Sequence, residues 1–202
     1  LGEFYEDGVA ILDWFKKKRG QYFSSRNEEL IGIEVPIYHP VNETNDKVMM
    51  LGYLDIVIRD KRNNKITIID IKTSTMGWNK YQKADKTKTS QLVLYKKYFA
   101  EQYGYDVENI DVKYMIVKRK LIEGAMFPQK RITDFMPASG KPTRNKLATE
   151  IKGFVDSAFH KDGTFNLDRK YPAIAGKNNK HCKWCEFRDK PDLCPRMDRI
   201  KV

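Results

Sequence analysis

KITIIDIKTST, from Lys65 to Thr75, is an apolar run with an acid and a lysine set into it. Isoleucine and threonine dominate the segment, which is typical of a buried β-strand. Side chains alternate between the two faces of a strand, so Asp70 and Lys72 share one face and Ile69 and Ile71 the other. A charged pair on such a strand is either a structural compromise or part of a working site.

The preceding segment predicts the partner of this strand. VMMLGYLDIVIRD, residues 48–60, is also rich in β-forming residues. It meets the first segment across KRNNK, residues 61–65, whose two asparagines suit a tight turn. In the resulting hairpin we expect Asp55 and Asp70 to meet at one end, with Lys72 beside them.

Converging carboxylates at this point predict a metal site. Strict alternation puts Leu54 and Ile56 on the opposite face from Asp55. Asp55 and Asp70 would repel each other unless a cation or a proton lay between them, and oxygen ligands favour Mg²⁺ or Mn²⁺. Glu34, on the strand expected to lie next to this hairpin, adds a third acid.

A lysine beside a metal site has a chemical use. Lys72 can orient or deprotonate a metal-bound water and stabilise the charge that develops on phosphorus. Gly52 lets another group approach the backbone closely. Together these features predict metal-assisted hydrolysis of a phosphodiester. The alternative is that Asp70 caps a strand end and Lys72 only reaches solvent.

The rest of the chain shows further helices and strands. The predicted elements are a helix over residues 3–22, strands over 30–38, 48–60 and 65–74 with a polar insert over 39–47, a helix over 88–104, a strand over 111–120, a basic stretch of strand and loop over 127–145, and a helix over about 146–160. This order predicts an α/β fold with a mixed β-sheet flanked by helices. We expect one domain over residues 1–202, with a Cys-rich tail over 181–196 within it.

These motifs, taken in order, resemble a known family. Glu34, GYLDIVI with Asp55, and IIDIKTS with Asp70 and Lys72 are similar to the PD-(D/E)XK nuclease superfamily, specifically its RecB-like and Cas4-like branch. The resemblance covers about residues 31–104 and the cysteine tail, and it implies a restriction-endonuclease-like core. It further implies that Asp55 and Asp70 bind the metal, that the backbone carbonyl of Ile71 is a further ligand, and that Lys72 is the catalytic lysine.

The same resemblance extends to the following helix. QLVLY carries Gln91 and Tyr95, four residues apart and therefore on one helical face. The resemblance implies that they contact the DNA or hold the site; the alternative is a solvent-facing glutamine and a core tyrosine. The branch usually has a metal-binding histidine on an N-terminal helix. Residues 3–22 contain no histidine, and His39 lies in the polar insert. The chain begins with Leu1 rather than Met, as fragments and processed forms do.

Three cysteines lie close together near the end of the chain. Cys182, Cys185 and Cys194 have the spacing of a thiolate site for an Fe–S cluster or Zn²⁺, and an odd count argues against disulfides. The resemblance implies a [4Fe–4S] cluster completed by a distant cysteine, which this chain lacks. His181 or His160 could instead complete a zinc site. The alternative is three ordinary thiols.

Positive charge is concentrated between the site strand and the following helix. Lys80, Lys83, Lys86 and Lys88, together with Trp78 and Tyr81, predict a loop that contacts phosphates and stacks bases. The nearby segments with Lys118–Lys120, Lys130, Arg131, Lys141 and Arg144 add further charge. Lysine runs are also common on solvated surfaces. The whole chain carries 38 Lys and Arg against 27 Asp and Glu, a net charge of +11, which makes a polyanion such as DNA the first partner to test.

Three functions remain open. The leading hypothesis is a Mg²⁺- or Mn²⁺-dependent deoxyribonuclease acting on DNA ends or single strands, with a helicase or a recombination or replication protein as a candidate partner. The others are a non-catalytic DNA-binding module and a restriction-type or junction-resolving endonuclease. No stretch approaches the roughly 20 apolar residues of a membrane span, so we expect a cytoplasmic or otherwise intracellular protein, including one that is phage-encoded or in the nucleoid.

Overall fold

A five-stranded mixed sheet with helices on both faces dominates the structure and confirms the predicted α/β class. This computed structural model describes residues 2–42, 45–169 and 172–201. It divides into two units, Leu1–Asp156 and Ser157–Val202. The expectation of a single domain over residues 1–202 stays a prediction.

The helices and strands follow the predicted order, the fifth strand lies within the predicted stretch of strand and loop, and a short helix and two short C-terminal strands are additions. They are α1 (Gly2–Lys18), β1 (Glu28–Asn42), β2 (Asn45–Asp60), β3 (Ile66–Ser74), α2 (Lys80–Ala84), α3 (Lys86–Tyr103), β4 (Ile110–Lys118), β5 (Ile132–Phe135), α4 (Lys141–Ala158), β6 (Ala173–Ile174) and β7 (Arg199–Ile200). Short 3-10 helices cover Arg19–Gln21, Val107–Asn109, Lys177–Cys182 and Arg196–Asp198. The large sheet has the order β1-β2-β3-β4-β5, in which β3 and β4 are parallel and the other pairs antiparallel.

Each face of the sheet is covered by a different helix. Helix α3 connects β3 to the parallel strand β4 and packs on one face, which we call the α3 face. Its core residues include Leu92, Tyr95 and Phe99 from the helix and Ile68 and Ile116 from the sheet. The opposite face, the α1 face, has a smaller core of Ile58, Ile69, Met115, Val117 and Ile132, against which the α1 side chains Ile11, Trp14 and Phe15 pack. The functional strand β3 is therefore held from both sides.

The first hairpin is longer than predicted. The polar insert over residues 39–47 was expected to separate the strands, but β1 and β2 pair from Glu28–Asp60 out to Asn42–Asn45. Backbone pairing with the neighbouring strand outweighs the weak β-propensity of these polar residues. Glu43 and Thr44, at the tip of the insert, lie outside the described residues.

The helices also differ from their predicted bounds. Helix α1 ends at Lys18, and residues 19–21 form a 3-10 turn around Gly20. Helix α4 begins at Lys141, five residues earlier than predicted, and Pro142 fits its first turn because the missing N–H has no partner there anyway. In the described ranges, every helix is too short or too polar to cross a bilayer.

The C-terminal unit has little regular structure. Its parallel strands β6 and β7 pair through Ala173–Arg199 and Ile174–Ile200. Ala175, directly after β6, is fully buried, and its N–H donates to the Ile200 carbonyl. The Cys-rich stretch lies between the two strands in sequence.

Gly52 tests how tightly α3 packs on the sheet. A Cβ atom at Gly52 would lie 2.8 Å from Cε1 of Tyr95, whose ring is buried. We expect Gly52→Ala to lower the free energy of unfolding by about 1–3 kcal/mol, the usual effect of overpacking. Urea denaturation measures the change.

Gly153 on α4 is the matched control. Its added methyl group would meet nothing within 4 Å. Gly153→Ala should therefore raise the free energy of unfolding by about 0.5–1 kcal/mol through helix propensity. Equal effects of the two substitutions would contradict the predicted close packing of Tyr95 on Gly52.

Candidate active site

Three acids lie in one row across the first three strands of the sheet. In the β1–β2 ladder the pairs on either side place Glu34 opposite Asp55. The β2–β3 ladder ends at Ile56–Ile69, and one step further along the same register puts Asp55 opposite Asp70. The predicted meeting of Asp55 and Asp70 at the end of the hairpin agrees with this register.

The regular alternation of side chains along β2 is interrupted at this row. Leu54 and Val57 both pack in the core on the α3 face, whereas Ile56 and Ile58 pack on the α1 face. The prediction that Leu54 and Ile56 share a face is therefore wrong. Regular alternation holds on each side of the row but is interrupted between Leu54 and Ile56, at Asp55.

The backbone of Glu34, in the same row on β1, is irregular. This residue has a φ of 52°, in the left-handed region that non-glycine residues seldom adopt, and its pair with Asp55 is missing from the ladder. Such conformations cost roughly 1–3 kcal/mol and are concentrated at functional sites. Glu34 itself is exposed, so the structure places it in the row of acids but not in the buried part of the site.

Asp70 is the buried centre of the site. Only 3% of its surface is exposed. The Lys72 ammonium lies 2.8 Å from Asp70 Oδ2 and is its one close polar contact among the described residues. The pair is thus a charge contact in which no further donor satisfies the buried oxygen.

The surroundings of Asp70 act on its pKa in opposite directions. Burial raises the pKa of the Asp70 carboxyl, the Lys72 ammonium lowers it, and the charge of Asp55 raises it again; the net shift is upward. The ionised Asp70 carboxylate is destabilised at this buried position unless a proton or a cation binds to it. Lys72, with 35% of its side chain exposed, can reach solvent from the same position.

Asp55 is held by the backbone of β3. Its Oδ2 accepts a hydrogen bond of 2.6 Å from the N–H of Ile71. In a strand the N–H and C=O of one residue point to the same side. The Ile71 carbonyl, the predicted backbone ligand, is therefore directed towards β2 beyond the end of the paired ladder.

The two predicted residues of α3 contact each other. Gln91 Nε2 donates a 3.0 Å hydrogen bond to the Tyr95 hydroxyl. Tyr95 is buried against Gly52, while Gln91 is half-buried. This arrangement combines both interpretations of the motif, because Tyr95 is a core residue that also orients Gln91.

Tyr114 is a residue of this region that the sequence did not reveal. The parallel register puts it beside Asp70 on β4, and its hydroxyl donates to the carbonyl of Lys88 in the first turn of α3. Burial, with a contribution from the charge of Asp70, raises the pKa of the Tyr114 hydroxyl, which therefore stays protonated and donating. The register between parallel strands that are joined by a helical crossover leaves no signal in a single sequence.

The predicted basic loop is partly helical. Lys80 and Lys83 lie on α2, which begins with a capping box between Asn79 and Gln82. Tyr81 is 74% exposed, with the Lys80 ammonium 5.1 Å from its ring centre. This pairing keeps an aromatic surface and a positive charge together on the outside of the helix.

Most of the remaining residues of the predicted basic loop contact other side chains of the structure. Trp78 is half-buried, and its ring centre lies 5.0 Å from that of Tyr114. The Lys83 ammonium lies 5.7 Å from the ring centre of Phe135. Lys86 is exposed, and Lys88 forms an ion pair of 3.5 Å with Asp85. Trp78 thus packs against the core aromatics rather than projecting freely.

The cysteines are placed in the C-terminal unit without forming a ligand cluster. The N–H of Cys185 donates to the Cys182 carbonyl, and that of Cys194 to the Lys190 carbonyl. All three thiols are free of disulfides. Nowhere in residues 2–42, 45–169 and 172–201 do three His, Cys, Asp or Glu side chains come together as a metal site. This arrangement gives no support to an Fe–S cluster, which stays a prediction from the cysteine spacing.

Comparison with known proteins identifies the class. A family model of the PD-(D/E)XK nuclease superfamily matches residues 8–194. The chain belongs to this superfamily, whose members are nucleases that hydrolyse phosphodiesters and generally use divalent metals such as Mg²⁺ or Mn²⁺. A search of curated proteins finds no match.

The residues present fit such a metal. The buried Asp70 oxygen without a hydrogen bond, Asp55 opposite it and the Ile71 carbonyl provide hard oxygen ligands, which Mg²⁺ and Mn²⁺ prefer. Two side-chain ligands with water and substrate completing the coordination are typical of Mg²⁺ sites. The group therefore fits without a third clustered acid.

Asp70→Asn should stabilise the metal-free protein at neutral pH. The raised pKa means that the folded state binds the Asp70 proton more tightly than the unfolded state does. The wild type therefore loses stability as the pH rises from about 3.8 through the folded pKa, and the variant does not. Chemical denaturation in EDTA should show a difference that widens as the pH rises from about 3.8 towards the folded pKa of Asp70.

Metal should reverse this order. Mn²⁺ at 100 times its Kd stabilises a protein by about 2.7 kcal/mol if it binds only the folded state, so wild type should gain stability and Asp70→Asn should not. Asp134→Asn is the control, because Asp134 forms an exposed ion pair with Lys113 in the same sheet. A wild-type level of Mn²⁺ stabilisation in Asp70→Asn would rule out Asp70 as a ligand.

Proposed function

We propose that this chain is a metal-dependent deoxyribonuclease that acts on DNA ends or single strands, similar to the RecB-like and Cas4-like branch of its superfamily. The observation that carries the proposal is the buried Asp70 carboxylate, with Lys72 at 2.8 Å and Asp55 in the neighbouring register position. The order of Gln91 and Tyr95 on the following helix supports the choice of branch.

The residues divide the chemistry between them. A bound Mg²⁺ or Mn²⁺ supplies a Lewis acid for the phosphate and lowers the pKa of a bound water. Asp55 and Asp70 hold that ion in place, and the N–H of Ile71 fixes the orientation of Asp55. Lys72 is partly exposed and next to Asp70, so its amino group can donate to the attacking water or to a phosphate oxygen.

DNA is proposed as the substrate because of charge. The net charge of +11 favours a polyanion. Tyr81 and the exposed Lys80 lie on α2, between β3 and α3, and the exposed Lys86 is the first residue of α3. Exposed aromatic and basic side chains are the elements with which proteins hold single strands. An intracellular location, where thiols stay reduced, is part of the same proposal.

Lys72→Ala should abolish cleavage and preserve binding. Loss of a group that assists proton transfer lowers the rate by about 10²–10⁴-fold, while one lysine contributes little to the affinity for DNA. End-labelled linear single- and double-stranded DNA, a closed circle and an RNA strand are incubated with Mg²⁺ or Mn²⁺. We expect loss of label from linear DNA alone.

Lys113→Ala is the matched control. Lys113 also pairs with a carboxylate at 3.1 Å, that of Asp134, in the same sheet. It precedes Met115 by two residues and so belongs to the α1 face, away from Asp70. The control should cleave at the wild-type rate. Cleavage of the closed circle would favour a restriction or junction endonuclease, and EDTA-resistant binding without any product would favour a non-catalytic module.

The cysteine spacing predicts metal in the C-terminal unit, as either a [4Fe–4S] cluster or Zn²⁺. This proposal rests on the spacing of Cys182, Cys185 and Cys194 and on the branch resemblance. Protein purified without oxygen should contain iron with sulfide, or zinc, and Cys185→Ser should lose it. Metal-free protein with full activity would identify the three residues as ordinary thiols.

A further inference from the structure

The C-terminal unit contains a strongly basic cavity. Its volume is about 650 Å³, and its lining includes Asn178, Asn179 and Cys182. Six cationic side chains surround it: Lys180, Lys183, Arg188, Arg196, Arg199 and Lys201. None of the described lining residues is acidic, so the cavity combines cations and hydrogen-bond donors without a balancing charge.

Most of these cations have no ion-pair partner within the described residues. Only Arg188 approaches a carboxylate, that of Asp189 at 3.9 Å, and both side chains are exposed. The Arg199 guanidinium is fixed in the wall, since Nη2 donates to the carbonyls of Arg188 and Cys194. Its Nε is buried and has no hydrogen-bond partner in the part of the chain that the structure describes.

A second cavity shows that this excess of positive charge is not general. In the first unit, a cavity of about 600 Å³ lies between the end of α3 and the start of α4. Its cations Lys97, Lys141 and Arg144 are accompanied by the acids Glu101, Asp106 and Glu108. Arg144 pairs with Glu108 and Lys97 with Glu101. That cavity is neutralised by the chain itself, whereas the C-terminal one requires an anion from outside to offset its self-repulsion.

An exposed aromatic ring accompanies the cavity. Trp184 is 88% exposed, and the ammonium of its neighbour Lys183, which lines the cavity, lies 5.2 Å from the ring centre. A large apolar ring left in solvent beside a row of cations is the pattern of single-strand binding, in which bases stack and phosphates follow a basic groove.

We infer that the C-terminal unit binds single-stranded DNA, with backbone phosphates in the basic cavity and a base stacked on Trp184. This inference deepens the proposed function and rests on it for the choice of DNA. The site lies outside the acids of β1, β2 and β3 and needs no metal, so its contribution to affinity can be measured separately from cleavage.

The test measures binding of a fluorescein-labelled oligonucleotide by anisotropy with the full chain, in buffer without added Mg²⁺ or Mn²⁺ so that no cleavage occurs. Lys180→Glu with Arg196→Glu reverses two exposed cavity cations and leaves Arg199 intact. Lys161→Glu with Lys177→Glu makes the same charge change at two exposed positions of the same unit that do not line the cavity. The neutral pair Lys180→Gln with Arg196→Gln guards against a folding defect, and thermal unfolding is recorded for every variant.

Lys180→Glu with Arg196→Glu should weaken single-strand binding by about tenfold or more. The control, Lys161→Glu with Lys177→Glu, should weaken it by less than about threefold. Loss of two phosphate contacts should also reduce the slope of log Kd against log salt by about 1.4, at about 0.7 per contact. Trp184→Ala should weaken single-strand binding by about tenfold and leave duplex binding unchanged. Oligonucleotides with and without a 5′-phosphate distinguish a terminal phosphate from internal phosphodiesters.

Several results would overturn the inference. Equal weakening by both charge pairs would show an unspecific charge effect, and equal weakening of duplex binding would remove the single-strand assignment. Wild-type protein that binds no oligonucleotide would also refute it. Cleavage assays on the same samples separate the two proposals, because cavity-dependent binding without cleavage contradicts only the proposed function, and cleavage without cavity-dependent binding contradicts only this inference.

Discussion

Burial of the Asp70 carboxylate is the constraint on which the site depends. Its strand is covered on both faces, its position beside Tyr114 excludes water, and only 3% of its surface is exposed. An isolated buried carboxylate is costly. Lys72 offsets that cost and Asp55 increases it, with the net result that the pKa of Asp70 is raised. A divalent cation would relieve the repulsion between the two acids and would also bind Asp70 Oδ2, which no further donor satisfies.

The surrounding elements hold this carboxylate in a fixed position. Tyr114 connects β4 to the first turn of α3 through the Lys88 carbonyl, and Tyr95 anchors the same helix against Gly52. Both tyrosines are buried in the core on the α3 face. Sites built on strands and helices keep their geometry better than sites on loops. The irregular backbone at Glu34 is the exception, and it lies in the row where the acids meet.

Local features of the sequence predicted much of this arrangement. The hairpin of β2 and β3 is joined by a short turn, so the register that brings Asp55 towards Asp70 follows from spacing alone. The order of helices and strands was also readable, because the elements are long and their apolar periodicity is clear. Asp55, Asp70 and Lys72 as the centre of the site came from these two kinds of signal, and their catalytic roles stay predictions.

The features that were missed depend on distant parts of the chain. The change of face at Asp55 lies in the same row as the irregular backbone of Glu34 on another strand, and strict alternation gave no hint of it. Tyr114 lies beside Asp70 because β3 and β4 pair in parallel, with α3 as the crossover between them. The two residues are about forty positions apart in the sequence. Helix α2 carries its own capping box, Asn79 with Gln82, which a closer reading of local signals would have found.

The central claim is that Asp55 and Asp70 hold a divalent metal for phosphodiester hydrolysis. A crystal soaked in Mn²⁺ and measured at a wavelength where manganese scatters anomalously tests this claim most directly. The account predicts an anomalous peak about 2.1 Å from a carboxylate oxygen of each acid, with no such peak in Asp70→Asn. A well-occupied manganese site elsewhere in the chain, with none between these two carboxylates, would contradict it.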